Sequence, residues 1–258
     1  MSEWRVLDLF SGIGGFSLGL ERAGMQTVAF CEIEPYPRAV LKKHWPNVPC
    51  YDDVRTLTGE RLRADGIIPN VICGGFPCQE ISVAYAPTGI RRGIDGPRSG
   101  LFHQIIRLAC ELRPRCILLE NVSAILALSF GRVLGILAEN RFDAEWRCIC
   151  ANQVCAPQTR DRCFILAYPH GSGMQGSLQS LDFGENGQRG SSSAQAVFSS
   201  DPFEPGNSWP QPLIRGVDGR IPYRMDRVKS CGNSVYPKIP EIIGRAIIAH
   251  HEAMRNTT

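Results

Sequence analysis

The sequence has no long uninterrupted apolar run and no strong excess of either charge. No apolar stretch approaches the roughly 18 to 20 residues that span a bilayer, and the first residues do not have the basic and then apolar order of a signal peptide. These absences predict a cytoplasmic protein with no membrane segment. Hydrophobic residues make up 43% and charged residues 21% of the 258 positions, which excludes fibrous and wholly disordered classes. The length suits one large domain or two modest ones with a sizeable core.

The 11 cysteines do not have the spacing of a disulfide framework or a metal site. An odd number cannot pair completely within one chain, and cytosolic thiols are kept reduced. Cys148, Cys150, Cys155 and Cys163 lack the paired short gaps of zinc ligands, and the first two alternate along a predicted strand. We therefore expect no metal, and we expect cysteines to serve packing or catalysis.

A net charge of +3 does not by itself indicate a polyanionic partner. One segment differs, because six basic residues lie between positions 215 and 238, against Asp218 and Asp226. A solvated face and a nucleic-acid contact are both open for this segment. The basic residues are Arg215, Arg220, Arg224, Arg227, Lys229 and Lys238.

Short apolar runs alternate with helical patterns over the first two thirds of the chain. This alternation predicts an α/β fold with a doubly wound, mostly parallel sheet. The predicted strands are 5–10, 27–31, 70–73 and 116–119, and the predicted helices are 16–23, 36–44 and 102–112.

The last third of the chain changes in composition. Segment 171–208 is rich in glycine and serine and has one basic residue, Arg189, which predicts a loop-rich insert that buries little core. Apolar residues at helical spacing over 237–253 then predict a final helix that packs on the main domain.

Ligands of open parallel sheets bind beyond the carboxyl ends of the strands. The first such end has a glycine-rich turn, 10–15, and Glu32 follows Gly12 by 20 residues at the end of the second strand. Glycines let backbone amides approach a ligand, and a carboxylate at that position can accept hydrogen bonds from ribose hydroxyls. The spacing of a dinucleotide site fails because Ser17 stands in place of the third glycine. The pattern predicts a nucleoside cofactor without identifying it.

Two further strand ends have reactive side chains. Cys78 lies in a turn that glycines and Pro77 constrain, and Glu120 directly follows four apolar residues. A partly desolvated carboxyl group there would have a raised pKa and could donate a proton. Either residue alone is also compatible with a structural role.

A fourth element is the run from Gln158 to Leu166, which the alternation predicts as a strand. Gln158, Arg160 and Arg162 would then share one face. Two guanidinium groups on one face suit a phosphate or a carbonyl oxygen, and a salt-bridged sheet edge is the alternative.

Together these blocks resemble, in order and spacing, the signature blocks of DNA cytosine carbon-5 methyltransferases. The resemblance covers about residues 4–169 and 222–250. The matching blocks are Asp8-Leu-Phe-Ser-Gly-Ile-Gly-Gly15, Gly75-Phe-Pro-Cys-Gln79, Glu120-Asn-Val122, Gln158-Thr-Arg-Asp-Arg162 and Gly232-Asn-Ser-Val235.

The resemblance implies a Rossmann-like enzyme that transfers a methyl group from S-adenosylmethionine to carbon 5 of cytosine. Cys78 matches the nucleophile that adds to carbon 6. Glu120 matches the acid that protonates or hydrogen-bonds ring N3, and Arg162, with Arg160, would hold the base carbonyl. The family flips its target base out of the duplex.

Two further sets of residues follow from the resemblance. Cofactor contacts are expected at Phe10, Ser11, Gly12, Gly14, Glu32, Ile33, Asp53, Val54, Gly75, Pro77, Leu101, Asn233 and Ser234. DNA contacts are expected at Gln79, Ser82, Arg91, Arg92, Arg215, Arg220, Arg224 and Arg227.

The resemblance also implies a domain organisation and partners. Residues 1–169 would form the catalytic domain, 170–221 a short target-recognition region, and 222–258 a segment that returns to the catalytic domain. The recognition region is short, and its first part is acidic and poorly suited to holding phosphates. The expected partner is double-stranded DNA, with a cognate restriction endonuclease for the same site, and the chain is expected to be a monomer.

Two alternatives stay open. The substrate could be tRNA, as in one branch of the family, or the chain could be an idle DNA- and cofactor-binding module of the same fold. The intact set of Cys78, Glu120 and the two arginines favours an active enzyme.

Overall fold

A seven-stranded sheet lies at the centre of the computed structural model, which describes residues 3–76, 100–156, 160–179, 181 and 224–256. The strands are β1 (Arg5–Leu9), β2 (Gln26–Cys31), β3 (Cys50–Tyr51), β4 (Val71–Gly75), β5 (Cys116–Val122), β6 (Phe142–Cys150) and β7 (Asp161–Pro169). The helices are α1 (Gly15–Arg22), α2 (Pro35–His44), α3 (Gly59–Ala64), α4 (Leu101–Leu112), α5 (Ile125–Leu128), α6 (Phe130–Glu139), α7 (Arg224–Asn233) and α8 (Lys238–Arg255).

The strand order is β3-β2-β1-β4-β5-β7-β6. The first five strands in this order run parallel, and β7 runs antiparallel to both β5 and β6. The order reverses between β1 and β4, which creates the crevice where doubly wound folds bind ligands. The predicted fold class is therefore confirmed.

Both faces of the sheet are buried, because successive side chains of each strand point to opposite sides. On one face Leu7 and Leu9 pack with the apolar sides of α4 and α6. On the other face Val6 packs with α1 and α8. Each fully buried apolar side chain contributes roughly 1.5–3 kcal/mol, so these two clusters account for much of the stability.

The final helix lies against α1, as its spacing predicts. Ile239, Ile243 and Ile247 are buried in the same cluster as Leu20. A Cβ atom at Gly244 would lie only 2.8 Å from the Cβ of Ala23, so the small residue allows close approach of the two helices. Segment 224–256 thus returns to the sheet that the first 169 residues form.

The start of the glycine- and serine-rich segment contributes side chains to the core, which its composition did not predict. Met174, Leu178 and Leu181 are buried in the α1 and α8 cluster. The Glu145 carboxylate on β6 accepts the backbone N–H groups of Gly176 and Leu178, which fixes this stretch to the sheet edge. The composition of the segment did not predict this packing. Three apolar residues in a polar background are enough for burial when a neighbouring strand provides the hydrogen-bond partners of their backbone.

Among the described residues, no helix combines the length and the apolar character that a bilayer span requires.

Candidate active site

The glycine turn that follows β1 forms the first part of the site. Gly12 has a φ of 53°, and a Cβ atom there would meet nothing within 4 Å, so its surface faces open space. Its backbone N–H donates to Glu32 at 2.7 Å, and the other oxygen of this carboxylate accepts the N–H of Glu34 at 2.8 Å. We call residues 10–15 together with Glu32 the glycine-turn site.

The turn is held by more than its glycines. Ser11 donates through its hydroxyl to the Asp8 carbonyl at 2.6 Å, and its N–H donates to the Cys31 carbonyl. Phe10 has a φ of 54°, in the left-handed region that L-residues rarely adopt. These bonds hold the turn between the carboxyl ends of β1 and β2.

Glu120 forms the second part, at the carboxyl end of β5. It is almost fully buried, and its Oε1 lies 2.7 Å from Nε of Arg162. The pair is a close charge contact rather than an aligned hydrogen bond. Burial raises the pKa of the Glu120 carboxyl above its usual value, while the charges of Arg162 and Arg160 oppose that rise.

Gly75 leaves room for the Glu120 carboxyl group. The two residues are partners in the β4–β5 register, and a Cβ atom on Gly75 would be 2.9 Å from Oε2 of Glu120. We call Gly75, Glu120 and Arg162 the carboxylate site. Because β1, β4 and β5 are consecutive in the sheet, the two sites are two strand spacings apart, or about 10 Å.

Arg160 is separate from this ion pair. Its Nη1 donates to the carbonyl of Ser234 at 2.6 Å, which ties the region before β7 to the segment after α7. Burial, and then repulsion by Arg162, lowers the pKa of its guanidinium group. Gly15 meets the same segment, since a Cβ atom there would collide with the Val235 carbonyl.

The strand with the arginines begins later than predicted. It starts at Asp161, so Arg160 precedes it and the two arginines do not share a strand face. The reason is that β6 ends at Cys150, where a 3₁₀ turn begins and the Ala151 N–H donates to the Arg160 carbonyl. Among the described residues, the pairing of β6 with β7 ends at Cys150 and Asp161.

Four of the predicted cofactor residues lie in loops or at helix ends: Ile33, Asp53, Leu101 and Asn233. Ile33 is 59% exposed directly after Glu32, and Leu101 begins α4. The Asp53 carboxylate accepts hydrogen bonds from the guanidinium group and the backbone N–H of Arg55, and this partner lowers the pKa of the carboxyl group. Asn233 ends α7 and is exposed.

Two predicted cofactor residues have packing roles in the structure. The side chain of Val54 is buried in the core, and its carbonyl accepts from Arg107. A Cβ atom at Gly14 would lie 2.7 Å from the Trp45 ring, so this glycine, with a φ of 86°, is needed for the contact between the turn and the end of α2.

The predicted nucleophile and most of the predicted DNA-contact residues lie outside the described residues. Arg227 is exposed on α7, and Arg224 begins that helix. The predicted site residues that lie outside the described residues are Cys78, Pro77, Gln79, Ser82, Arg91, Arg92, Gln158, Arg215 and Arg220.

Sequence reasoning missed Asp8. This residue belongs to the first signature block but had no assigned role, and it is fully buried beneath α1. The signal was present, because a charged residue inside an apolar strand is rare unless it has a partner.

Comparison with known proteins identifies the family of this chain. The model of the C-5 cytosine-specific DNA methylase family matches residues 4–199. The chain belongs to this family. It is 37% identical over 171 residues to the type II methyltransferase M2.BsuMI of Bacillus subtilis, covering 63% of this chain and 41% of that protein. It is 35% identical over 172 residues to the type II methyltransferase M.Eco47II of Escherichia coli, covering 64% and 39%. The chain thus spans well under half the length of these two relatives.

Solved structures of similar proteins agree on the fold. A putative DNA modification methyltransferase encoded within an E. coli prophage has a TM-score of 0.55 at 28% identity, covering 65% of this chain and 47% of that one. The Spodoptera frugiperda DNMT2 mutant has a TM-score of 0.53 at 23% identity, covering 66% and 51%, and this likeness concerns the fold alone.

Proposed function

We propose that the chain transfers a methyl group from S-adenosylmethionine to carbon 5 of cytosine in DNA. The main support for the proposal is the Glu120 carboxyl group, which is buried beside Arg162 and has a raised pKa. It lies at the carboxyl ends of the parallel strands, as the glycine-turn site does. Membership of the C-5 cytosine-specific DNA methylase family supports the same reaction.

The glycine-turn site fits the nucleoside part of S-adenosylmethionine. The open surface over Gly12 leaves room for a ligand, and the Glu32 carboxylate has lone pairs beyond those that accept the two backbone N–H groups. The exposed Ile33 offers an apolar surface to an adenine ring. When bound, S-adenosylmethionine supplies an electrophilic methyl group. We also propose that the other cofactor residues predicted from the sequence contact S-adenosylmethionine.

The carboxylate site fits the pyrimidine. We assign Cys78 the role of nucleophile, in which its thiolate sulfur forms a bond to carbon 6 of cytosine. Burial raises the pKa of the Glu120 carboxyl group, which favours its role as the acid that donates a proton towards N3 as electron density moves into the ring. Arg162 then faces the ionising carboxyl group and the base carbonyl, and stabilises the charge that develops.

The remaining steps restore the aromatic ring. Carbon 5, made nucleophilic by the sulfur at carbon 6, attacks the methyl group. Loss of the carbon-5 proton and elimination of the Cys78 thiolate then release methylated cytosine. Arg160 has a positioning role here, because its guanidinium group holds the Ser234 carbonyl rather than pairing with Glu120.

The substrate and partners belong to the same proposal. Arg227 is exposed on α7, where it can contact DNA phosphates, and we assign the other predicted arginines, Gln79 and Ser82 to DNA contact and loop closure. Relatives named type II methyltransferases support a restriction endonuclease as a partner system. We propose a cytoplasmic monomer with the three-part organisation 1–169, 170–221 and 222–258.

Trapping on DNA that contains 5-fluorocytosine tests the reaction. Fluorine cannot leave carbon 5 as a proton does, so the Cys78 adduct should survive denaturation. Cys78→Ser should abolish the adduct. An absence of adduct with wild-type protein that still binds S-adenosylmethionine would contradict the proposal and favour an idle binding module.

Two further measurements define the substrate. Tritiated S-adenosylmethionine should label duplex DNA and not tRNA, and label in tRNA alone would contradict the DNA assignment. Bisulfite sequencing of DNA from cells that express the chain should then reveal the methylated sequence.

A further inference from the structure

Two cysteines lie directly opposite each other on adjacent strands, and the proposed reaction uses neither of them. Cys148 of β6 is the register partner of Cys163 of β7. Opposite side chains of an antiparallel pair point to the same side of the sheet, with Cβ atoms about 4.5–5.5 Å apart. Cys163 is fully buried in the apolar cluster on the side of α4 and α6, and Cys148 packs against that cluster while remaining partly exposed.

The two thiol groups also interact with each other. Burial, and then the charge of Cys148 and a hydrogen bond with it, raises the pKa of the Cys163 thiol to about 12. Cys163 therefore keeps its proton at neutral pH. Cys148 is the member of the pair that a dissolved reagent can reach, because part of its surface is in contact with solvent. An oxidant in solution thus meets Cys148 first and finds a second thiol beside it.

A disulfide between these two residues would change the spacing of β6 and β7. Disulfide-bonded cysteines have Cβ atoms about 3.8 Å apart, which is about 1 Å closer than in an ordinary cross-strand pair. The two strands therefore have to approach each other at this level when the bond forms. Protein interiors are close-packed, so the displacement is passed on to neighbouring residues.

The first such neighbour is Arg162, which precedes Cys163 in β7. The Nε atom of Arg162 lies 2.7 Å from Oε1 of Glu120 in the carboxylate site. Consecutive residues share a peptide unit, so a displacement of the Cys163 backbone also displaces the backbone of Arg162. The separation of the guanidinium group from the Glu120 carboxyl group should therefore depend on whether the disulfide is present.

The second neighbour is Asn121 of β5, which is the register partner of Cys163 on the side away from β6. Asn121, Cys163 and Cys148 thus form a row across three strands. The Asn121 side chain is buried and donates to the carbonyl of Phe76 at 3.4 Å. Phe76 precedes Cys78 by two positions in the sequence. A displacement of Cys163 therefore also acts on a contact next to the cysteine block.

We propose that Cys148 and Cys163 form a reversible disulfide with a small-molecule disulfide as oxidant, and that this bond slows methyl transfer by displacing Arg162 and Asn121. The formation of the bond rests on the geometry of the two strands alone. Its effect on the rate rests on the proposed function. Disulfides that form in reducing compartments are usually transient and regulatory or catalytic, which fits a pair close to an active site.

The exchange takes two steps. The Cys148 thiolate attacks one sulfur atom of the small-molecule disulfide, so that a mixed disulfide forms and one small thiolate leaves. The Cys163 thiol then gives up its proton and attacks the Cys148 sulfur, which releases the second small thiolate. In total the two cysteines lose two electrons and two protons, and the small-molecule disulfide takes them up to become two thiols. Dithiothreitol supplies electrons and protons for the reverse reaction.

Treatment of the full chain with oxidised glutathione, followed by tryptic digestion and mass spectrometry, tests bond formation. Trypsin cleaves after Arg160 and Arg162, so the two cysteines lie in separate peptides, 148–160 and 163–189. A linked pair of these peptides should appear within minutes to hours and disappear with dithiothreitol. Fragment ions should place the link at Cys148, because peptide 148–160 also contains Cys150 and Cys155.

Methylation of DNA before and after the same treatment tests the effect on the rate. The wild-type rate should fall about tenfold on oxidation and recover with dithiothreitol, since small misplacements at a reacting group lower rates. Cys148→Ser and Cys163→Ala each lack one sulfur, and their rates should change less than about twofold on treatment. Oxidation of Cys78 would affect the wild type and both variants alike, so the difference between them reports on the pair.

Cys110→Ser is the matched control. Cys110 is also partly exposed, but its thiol donates to the Asn140 side chain at 3.3 Å, and it lies on helix α4 rather than on either of the two strands. The variant should form the linked peptides and lose activity on oxidation as the wild type does. Resistance of Cys110→Ser to the oxidant would assign the inactivation to another thiol and contradict the proposal.

Two other results would overturn the proposal. One is wild-type protein that gives no link between Cys148 and Cys163 after treatment. The other is a complete link with a rate that matches that of treated Cys148→Ser. Wild-type protein that methylates no DNA before oxidation would overturn the proposed function and the effect on the rate together, and the linked peptides would still decide whether the disulfide forms.

Discussion

The glycine-turn site and the carboxylate site both lie at the carboxyl ends of the parallel strands, but they consist of different chemical groups. In the glycine-turn site, backbone N–H groups and a left-handed turn meet one carboxylate that the parallel strands β1 and β2 hold in register. In the carboxylate site, two charged side chains meet where β5 pairs with the antiparallel strand β7. The first site therefore depends on backbone conformation, and the second on burial and on the placement of two side chains.

This difference has a chemical consequence. The turn of the glycine-turn site presents backbone groups, which do not titrate, beside the Glu32 carboxylate that accepts two of its neighbours' N–H groups. The Glu120 carboxyl group has a raised pKa and lies beside a guanidinium group, so its charge can change during a reaction. We expect changes in the first site to alter ligand affinity, and changes in the second to alter the rate of the chemical step.

Removal of the Glu120 proton donor should have the largest effect. Glu120→Gln retains the shape but loses the acid, and kcat should fall by about 10² to 10⁴, the usual contribution of a positioned acid. Donor affinity should stay within about twofold of the wild type, since Glu120 is two strands from β1. Single-turnover kinetics and titration with S-adenosylmethionine measure the two quantities, and equal losses in both would remove the distinction between the sites.

Displacement of the same carboxyl group should have the next largest effect. Gly75→Ala places a methyl group 2.9 Å from Oε2 of Glu120, so the carboxyl group has to move. Ordinary contact begins at 3.4 Å, so a shift of about 0.5 Å relieves the clash. We expect a loss of about tenfold in kcat, since even small misplacements at a reacting group lower rates. Gly131→Ala on α6 is a suitable control because an added Cβ there meets nothing within 4 Å. If both variants retain full activity, Gly75 does not position Glu120.

A change in the glycine turn should affect binding. Gly12→Ala introduces a side chain at a φ of 53°, and the left-handed conformation costs an L-residue roughly 1–2 kcal/mol, or about tenfold in donor affinity. The rate at saturating S-adenosylmethionine should change much less. A variant with normal affinity and a low kcat would reverse the assignment of the two sites.

The protonation of Asp8 should make stability depend on pH. Burial raises the pKa of Asp8 to about 7, while the bonds from Ser17 and the nearby Cys73 thiol oppose the rise and the charge of Glu32 adds to it. The folded state therefore retains a proton that the unfolded chain loses near pH 4. The contribution of Asp8 to stability should fall as pH rises from about 4 to about 7 and then level off.

Chemical denaturation of wild-type protein and Asp8→Asn between pH 5 and pH 8 measures this dependence. The free energy of unfolding of the wild type, relative to the variant, should decrease across that interval. A difference that is independent of pH would show that Asp8 keeps one charge state throughout.

Much of the fold could be predicted from local patterns. Alternating apolar runs and helical spacings identify β1, β2, β4, β5, α4 and α8 because each pattern reflects burial of a whole element. The prediction that Arg160 lies within this strand was wrong, because β7 begins at Asp161 and strand length also depends on where the partner strand β6 ends. The packing of Met174 and Leu178 was missed because it depends on Glu145, a residue of another strand.

By itself the sequence determined the residue types and the order of the chemical groups: a glycine turn followed by an acid, a cysteine block, a glutamate after an apolar strand, and an arginine block. These follow from local chemistry, which spacing along the chain preserves. Only the tertiary structure decided the pairing of Glu120 with Arg162, the bond from Arg160 to Ser234, and the bond from Ser17 to Asp8. Such contacts join residues from different strands and helices, and strand order and register bring them together.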